Sequence, residues 1–242
     1  MDFITLMFDQ LLNHASKYRY MYAGSVKVPM VVRAPCGGGR GYGATHSQSL
    51  ESYLYRIPGL KLFAPATCED ARGMLLSAIR DDNPVVFIEH KKLYGVREEV
   101  GDEIEPTPVG KARLAREGND IALISYSYMV RHCLAAAQEL QKNGVSALVL
   151  DLRSLSPLDD DAIAAAVEHT GRALVVEEGT RTGGIGAEIS ARISESCFFE
   201  LEAPPARLAT PDTPIPCSPP LENALLPNPA AITRAAMALM KD

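Results

Sequence analysis

The chain has 242 residues, 47% of them hydrophobic and 22% charged, which supplies a core for one large domain or two modest ones and excludes a disordered tail. Lys and Arg number 24 against 30 Asp and Glu, and the resulting charge of −6 argues against non-specific binding to nucleic acid. No apolar run reaches the roughly 18 residues of a membrane span, the start lacks the marks of a signal peptide, and the five cysteines are scattered without a CxxC. These features predict a cytoplasmic protein with no membrane partner, no disulfide framework and no zinc cage.

Residues 3–20 carry apolar side chains at helical spacing (Phe3, Leu6, Met7, Leu11). A strand is predicted at 29–33 (PMVVR), ending at Ala34-Pro35, then a helix at 48–55 and a strand at 60–64 (LKLFA). A helix at 71–80 and a strand at 84–89 (PVVFIE) follow. A parallel α/β domain rarely opens on a helix, so the pattern also predicts that a leading segment is missing. Residues 98–118 are charged, hold two prolines and show no period, and read as a connector.

From residue 119 the pattern is regular. Strands are predicted at 120–126 (DIALISY), 145–150 and 173–177 (ALVVE), and helices at 130–141, 160–169 and 185–196. Asn143-Gly144 stops the first of these helices, and Ser156-Pro-Leu-Asp159 reads as the start of the second with Pro in its first turn. Strand and helix alternating at this spacing predict a parallel sheet covered on both faces.

Four constellations could carry chemistry. The loop APCGGGRGYGATHS at 34–47 follows a strand, lets backbone approach a ligand, and closes on His46, a side chain suited to proton exchange near neutral pH. It reads equally as a flexible surface loop. At 78–83 a helix ends in exposed carbonyls beside Asp81 and Asn83, oxygen donors suited to a hard cation, though the bland reading is an Asp-Asn-Pro turn capping its own backbone. The glycine-rich string at 177–186 lacks both GxGxxG and GxxxxGK[ST] and reads as a structural loop. The acidic clusters at 98–105 and 159–161 read as solvated.

Longer strings carry a resemblance. DFIT at 2–5, THSQSL at 45–50, IPGL at 57–60, AIRDDNPVV at 78–86, DLRSLSPL at 151–158, GIGAE at 184–188, PDTPIP at 211–216 and SPPLE at 218–222 occur in one register along the chain. Together they resemble the beta subunit of the thiamine-diphosphate-dependent dehydrogenase component of 2-oxo acid dehydrogenase complexes, of the pyruvate, branched-chain or acetoin type. The resemblance implies an α/β fold: a truncated pyrimidine-binding-type domain at 1–97, a linker at 98–118, and a transketolase C-terminal-type domain at 119–242. It implies an oxidoreductase assembled as an alpha2beta2 heterotetramer, with thiamine diphosphate between the subunits, magnesium on the alpha subunit, and acyl transfer to a lipoyl arm on a dihydrolipoyl acyltransferase core.

By the same resemblance His46 is catalytic and Phe3 lies near the cofactor's pyrimidine. Met30, Ala78, Ile79, Asp81 and Asn83 fall on positions that hold a structural potassium ion in some members. The family's cofactor-activating Glu stands ahead of the DFIT string, so the chain as given is expected to be inactive, with a first half less stable than residues 116–242. The alternatives are a truncated, non-catalytic docking module and a relative of transketolase with another substrate.

Overall fold

The computed structural model describes residues 1–103 and 105–241. A 3-10 segment at Ile4–Met7 and a π-helical segment at Gln10–Ala15 lead into helix α1 (Ser16–Met21). Strand β1 (Val31–Cys36), helix α2 (Glu51–Tyr55), strand β2 (Lys61–Phe63), helix α3 (Cys68–Ile79) and strand β3 (Val85–His90) complete the first half. Strands β4 (Arg113–Arg116) and β5 (Ile121–Ser125), helix α4 (Tyr128–Lys142), and strands β6 (Ala147–Asp151) and β7 (Ser154–Ser156) follow. Helix α5 (Asp160–Thr170), strand β8 (Ala173–Thr180), helix α6 (Ile185–Ser196), strand β9 (Ala206–Thr210) and helices α7 (Pro219–Leu225) and α8 (Pro229–Leu239) end the order.

Two sheets form. The first has the order β1-β3-β2-β7 and the second β4-β6-β5-β8-β9. β5, β6 and the first half of β8 run apolar and buried up to Ser125, Asp151 and Glu177, as strands covered on both faces must. Their helices start and stop on local signals. The Asp159 carboxylate accepts from the Ala162 N–H at the start of α5, and Gly171 at φ +68° ends it in the left-handed region. Thr67 and Asp70 cap α3 reciprocally, hydroxyl to N–H and hydroxyl to carboxylate.

The structure departs from the sequence reading at several elements, and β9, α7 and α8 have no counterpart in it. β1 runs past the expected stop at Ala34-Pro35 to Cys36, paired in parallel with β3 as far as His90. The expected connector at 98–118 contains β4, which adds an antiparallel edge to β6 with a register shift. An edge strand needs no apolar alternation, and Arg113, with Leu114 half exposed, gives none. The string expected to begin α5 with Pro in its first turn begins instead with β7, Pro157 lying outside the helix.

β7 also joins the halves. It follows β6 of the second sheet, yet pairs antiparallel with β2 of the first, with Leu62 opposite Ser156 and Phe63 opposite Ser154. Around this crossing, Asp70 of α3 meets Arg113 and Arg153, and Arg113 also reaches Asp151 at 3.0 Å. One apolar cluster runs through both halves and holds Leu62, Val86, Ile124, Leu155 and Ile185 together.

Candidate active site

The loop after β1 is built on glycine. Gly37, Gly39, Gly41 and Gly43 all have positive φ, between +70° and +86°. At Gly37 a Cβ would lie 2.0 Å from Nε2 of His90, so this position also demands the absence of a side chain. The loop's amides converge on two carboxylates from the second half. Gly38 N–H donates to Oε1 of Glu178 at 2.8 Å. Gly39 and Gly41 donate to the two carboxylate oxygens of Glu222 at 2.7 and 2.8 Å. Backbone N–H groups gathered in this way make an anion nest, and here the chain fills it with its own side chains.

Glu178 is itself held on several sides. Nδ1 of His90 accepts from the Lys92 N–H at 3.2 Å, so Nε2 carries the hydrogen and donates to Glu178 Oε2 at 2.9 Å. Burial pushes the Glu178 carboxyl up, but His90, the Gly38 amide and the Ser49 hydroxyl outweigh it and hold the group below its ordinary range. The His90 ring stacks on Tyr128 at 4.7 Å.

The far end of the loop presents His46 to solvent. Its backbone is fixed: Lys91 Nζ donates to the His46 carbonyl at 2.6 Å, to Asp2 Oδ2 at 2.8 Å and to the Gly37 carbonyl at 3.4 Å. Asp2 in turn accepts from the Gln48 N–H at 2.9 Å. Among the described residues no hydrogen bond engages the His46 ring nitrogens. The Phe3 ring stands edge-to-face against His46, centroids 5.3 Å apart, and is 59% exposed. The structure therefore brings together the two residues the sequence reading assigned to catalysis and cofactor. A shallow cavity of about 340 Å³ lined by Asp2, Tyr42, His46 and Lys91 opens beside them.

The five expected cation ligands lie elsewhere, at the opposite end of β1 and β3. Asp81 Oδ2 is ion-paired with Lys61, and Oδ1 accepts from both the backbone and the side-chain N–H of Asn83, at 2.8 and 2.9 Å. Burial pushes the Asp81 carboxyl up; these partners outweigh it and lower its pKa. The Ala78 carbonyl accepts from Asp81 N–H and the Met30 carbonyl from Val85 N–H. Ile79 is 60% exposed. The carboxylate is thus engaged by an ammonium on one oxygen and by Asn83 N–H groups on the other, which leaves the Asn83 side-chain oxygen and backbone carbonyls as the freer donors for a cation.

The string at 177–186, expected to be a loop, holds the end of β8 as far as Thr180 and the start of α6 at Ile185. Glu177 Oε1 accepts from the Gly186 N–H at 2.9 Å, so a carboxylate from β8 occupies the N-terminus of α6. A Cβ on Gly184 or Gly186 would come within 2.4 or 2.7 Å of that oxygen. Burial raises Glu177 to about 7. Glu51, buried on α2, is raised by burial to about 8, with Glu178 and Glu177 adding to the effect.

The sequence reading did not single out Lys91, His90, Glu178 or the role of Glu222. Their signal is spatial, because Glu178 and Glu222 lie 140 and 183 residues from the amides they hold. The SPPLE string was noticed without a function for its Glu.

Two half-chains, each a sheet under helices, with a glycine loop and histidine of the first locked by the second, define a two-domain transketolase-type α/β protein. The family model described as the transketolase pyrimidine binding domain matches residues 1–97, and that of the transketolase C-terminal domain matches residues 110–232. A solved structure described as a split-gene transketolase in an inactive beta4 tetramer superposes with a TM-score of 0.74. It is 21% identical and the match covers 96% of this chain and 74% of that one, a likeness of fold.

Sequence relatives narrow the class. The chain is 43% identical over 240 residues to the acetoin:2,6-dichlorophenolindophenol oxidoreductase subunit beta of Cupriavidus necator, covering 99% of this chain and 71% of the relative. It is 46% identical over 235 residues to the pyruvate dehydrogenase E1 component subunit beta of Porphyra purpurea, covering 97% and 71%. The chain belongs to the beta-subunit family of the thiamine-diphosphate-dependent 2-oxo acid dehydrogenases.

Proposed function

We propose that this chain, an E1 beta subunit, works with an alpha subunit to decarboxylate a 2-oxo acid, pyruvate first among them, and passes the acyl group to a lipoyl arm of a dihydrolipoyl acyltransferase core. The observation that carries this is the pairing of Phe3 with His46 at the mouth of the glycine loop in a chain of this family. In this reading residues 1–97 face the cofactor's pyrimidine, the stretch from 98 up to β4 links the domains, and the second sheet with its helices braces the site. The assembly is an alpha2beta2 heterotetramer in the cytoplasm, a setting suited to five unpaired thiols. Among the described residues no helix is long and apolar enough to cross a membrane.

The residues present suit half of thiamine diphosphate. The half-exposed ring of Phe3 offers an apolar surface to a flat heteroaromatic ring. The loop amides do not suit a diphosphate, because Glu178 and Glu222 already occupy them. The diphosphate and its magnesium then belong to the alpha subunit. When bound, thiamine diphosphate supplies a carbanion nucleophile and an electron sink for decarboxylation. His46 contributes a ring nitrogen free to donate to or accept a proton from the substrate oxygen, where charge develops. Lys91 anchors the His46 backbone, so the ring swings from a fixed point.

Potassium at the 78–83 turn is the finer part of the reading. Oxygen donors support it, while Lys61 already neutralises Asp81, so a bound ion would rest on backbone oxygens and the Asn83 side-chain oxygen. The function is tested by co-expression with an alpha subunit and assay against a panel of 2-oxo acids and acetoin. Carbon dioxide release from pyruvate is the expected result, and turnover of acetoin alone would move the chain to the acetoin branch.

A further inference from the structure

We infer that Glu222 is a positioning residue for His46, so that the second domain sets the geometry of a loop belonging to the first. The inference rests on the reading of His46 as the proton-handling residue. Four loop glycines at positive φ leave little side-chain bulk to brace the segment and a large conformational entropy to overcome. Lys91 and Glu178 hold the two ends of the segment, and its middle is held by one carboxylate spanning two amides. Glu222 is 1% exposed, has no salt-bridge partner among the described residues, and takes Gly39 on one oxygen and Gly41 on the other.

The segment that carries Glu222 follows the loop closely. A Cβ on Gly41 would lie 3.2 Å from the Cys217 carbonyl, one on Gly43 would lie 3.4 Å from Cβ of Cys217, and one on Gly38 would lie 3.1 Å from Leu226. Side chains at these glycines would press on this segment, and the positive φ at Gly41 and Gly43 disfavours them as well. From Gly43 the order passes directly to the catalytic group, because the Gly43 carbonyl accepts from the His46 N–H at 3.3 Å. Two short charge-assisted hydrogen bonds to a buried carboxylate are stronger than neutral ones and cannot be replaced by water. Glu178 holds the neighbouring Gly38 amide, so a second carboxylate of the same domain fixes the start of the loop.

The test uses the alpha–beta assembly. Glu222→Gln keeps the shape but turns an amide NH₂ toward one of the two glycine N–H groups. Exchange of the Gly39 and Gly41 amides should rise at least about tenfold, and kcat should fall by roughly 10–100-fold with KM little changed, the loss typical of a catalytic group displaced by about an ångström. Glu222→Asp keeps the charge on a shorter stem and should fall between the two. The exposed neighbour change Leu221→Ala should leave both readouts at wild-type values. Adding Glu222→Gln to His46→Ala should lower kcat no further, since both act through one side chain. Wild-type kcat in Glu222→Gln while His46→Ala is inactive would overturn the positioning role alone. Full activity in His46→Ala would overturn the reading of His46 and this inference with it. Additive losses, or a loss of kcat with unchanged amide exchange, would show that Glu222 acts by another route.

Discussion

His46 is exposed, with its backbone fixed and its ring free, a combination suited to a side chain that must move a proton without losing its place. In the alpha–beta assembly His46→Ala should lower turnover by roughly 10²–10⁴-fold, with a melting temperature close to that of the parent. Unchanged turnover would remove the assignment, and loss of the fold would make the residue structural. Glu51 makes the opposite case, an acid with no room for charge. Its folded pKa of about 8 lies above the ordinary 4.5, so between these values the folded chain keeps a proton that the unfolded chain has lost. That contribution is complete below the lower value and declines as pH rises toward about 8; Glu177, raised by burial to about 7, adds to the decline. Glu51→Gln mimics the protonated form, and melting curves between about pH 5 and 8 should show a shallower loss of stability than the parent. An unchanged slope would place the titration elsewhere. Of these residues His46 stands out in the sequence through the family resemblance of THSQSL, since the glycine loop alone reads equally as a flexible surface loop. The carboxylates do not, because nothing near Glu178 or Glu222 in sequence encodes the amides they meet.

At the scale of elements, the buried strands and their helices were legible because a parallel sheet demands continuous apolar runs, and 185–196 was read with its observed bounds. β4 and β7 were not, since each takes its stability from a partner strand rather than its own pattern. The turn at 78–83 can be tested as an element. If backbone oxygens there hold potassium, the melting temperature should rise in potassium chloride above its value in lithium chloride at equal ionic strength. Coincident curves would leave the Lys61–Asp81 pair as the sole occupant. The junction of helix and turn at the other side of the first domain gives a second test. Gly59 has φ +89°, and a Cβ there would lie 2.1 Å from the Ser16 carbonyl oxygen, which is backbone and cannot step aside. Gly59→Ala should destabilise the chain by about 2 kcal/mol or more in urea titration, and a loss below about 0.5 kcal/mol would mean that α1 yields readily.

At the scale of the molecule, residues 116–242 can outlast the first half only by breaking contacts that join the two. β7 belongs by sequence to the second half and by hydrogen bonding to the first sheet, and Asp70 ties α3 to Arg113 and Arg153. With a shared apolar cluster and loop amides bonded across the domains, the halves are tied together as one cooperative unit. Calorimetry should give one transition with calorimetric and van't Hoff enthalpies in agreement, and two resolved peaks would contradict this. The pattern that marked two domains was correct about their sheets. It could not show that one sheet borrows its last strand from the other domain's sequence.

That borrowed strand sets an order of events during synthesis. The Ser156 hydroxyl donates to the Leu60 carbonyl across 96 residues, so β2 leaves the ribosome long before its neighbour exists. Until then the β2 edge is a bare row of amides and carbonyls, open to a strand from any nearby chain. Translation that pauses before residue 154 would prolong this exposure, and the nascent first half is then the form of the protein most in need of a chaperone.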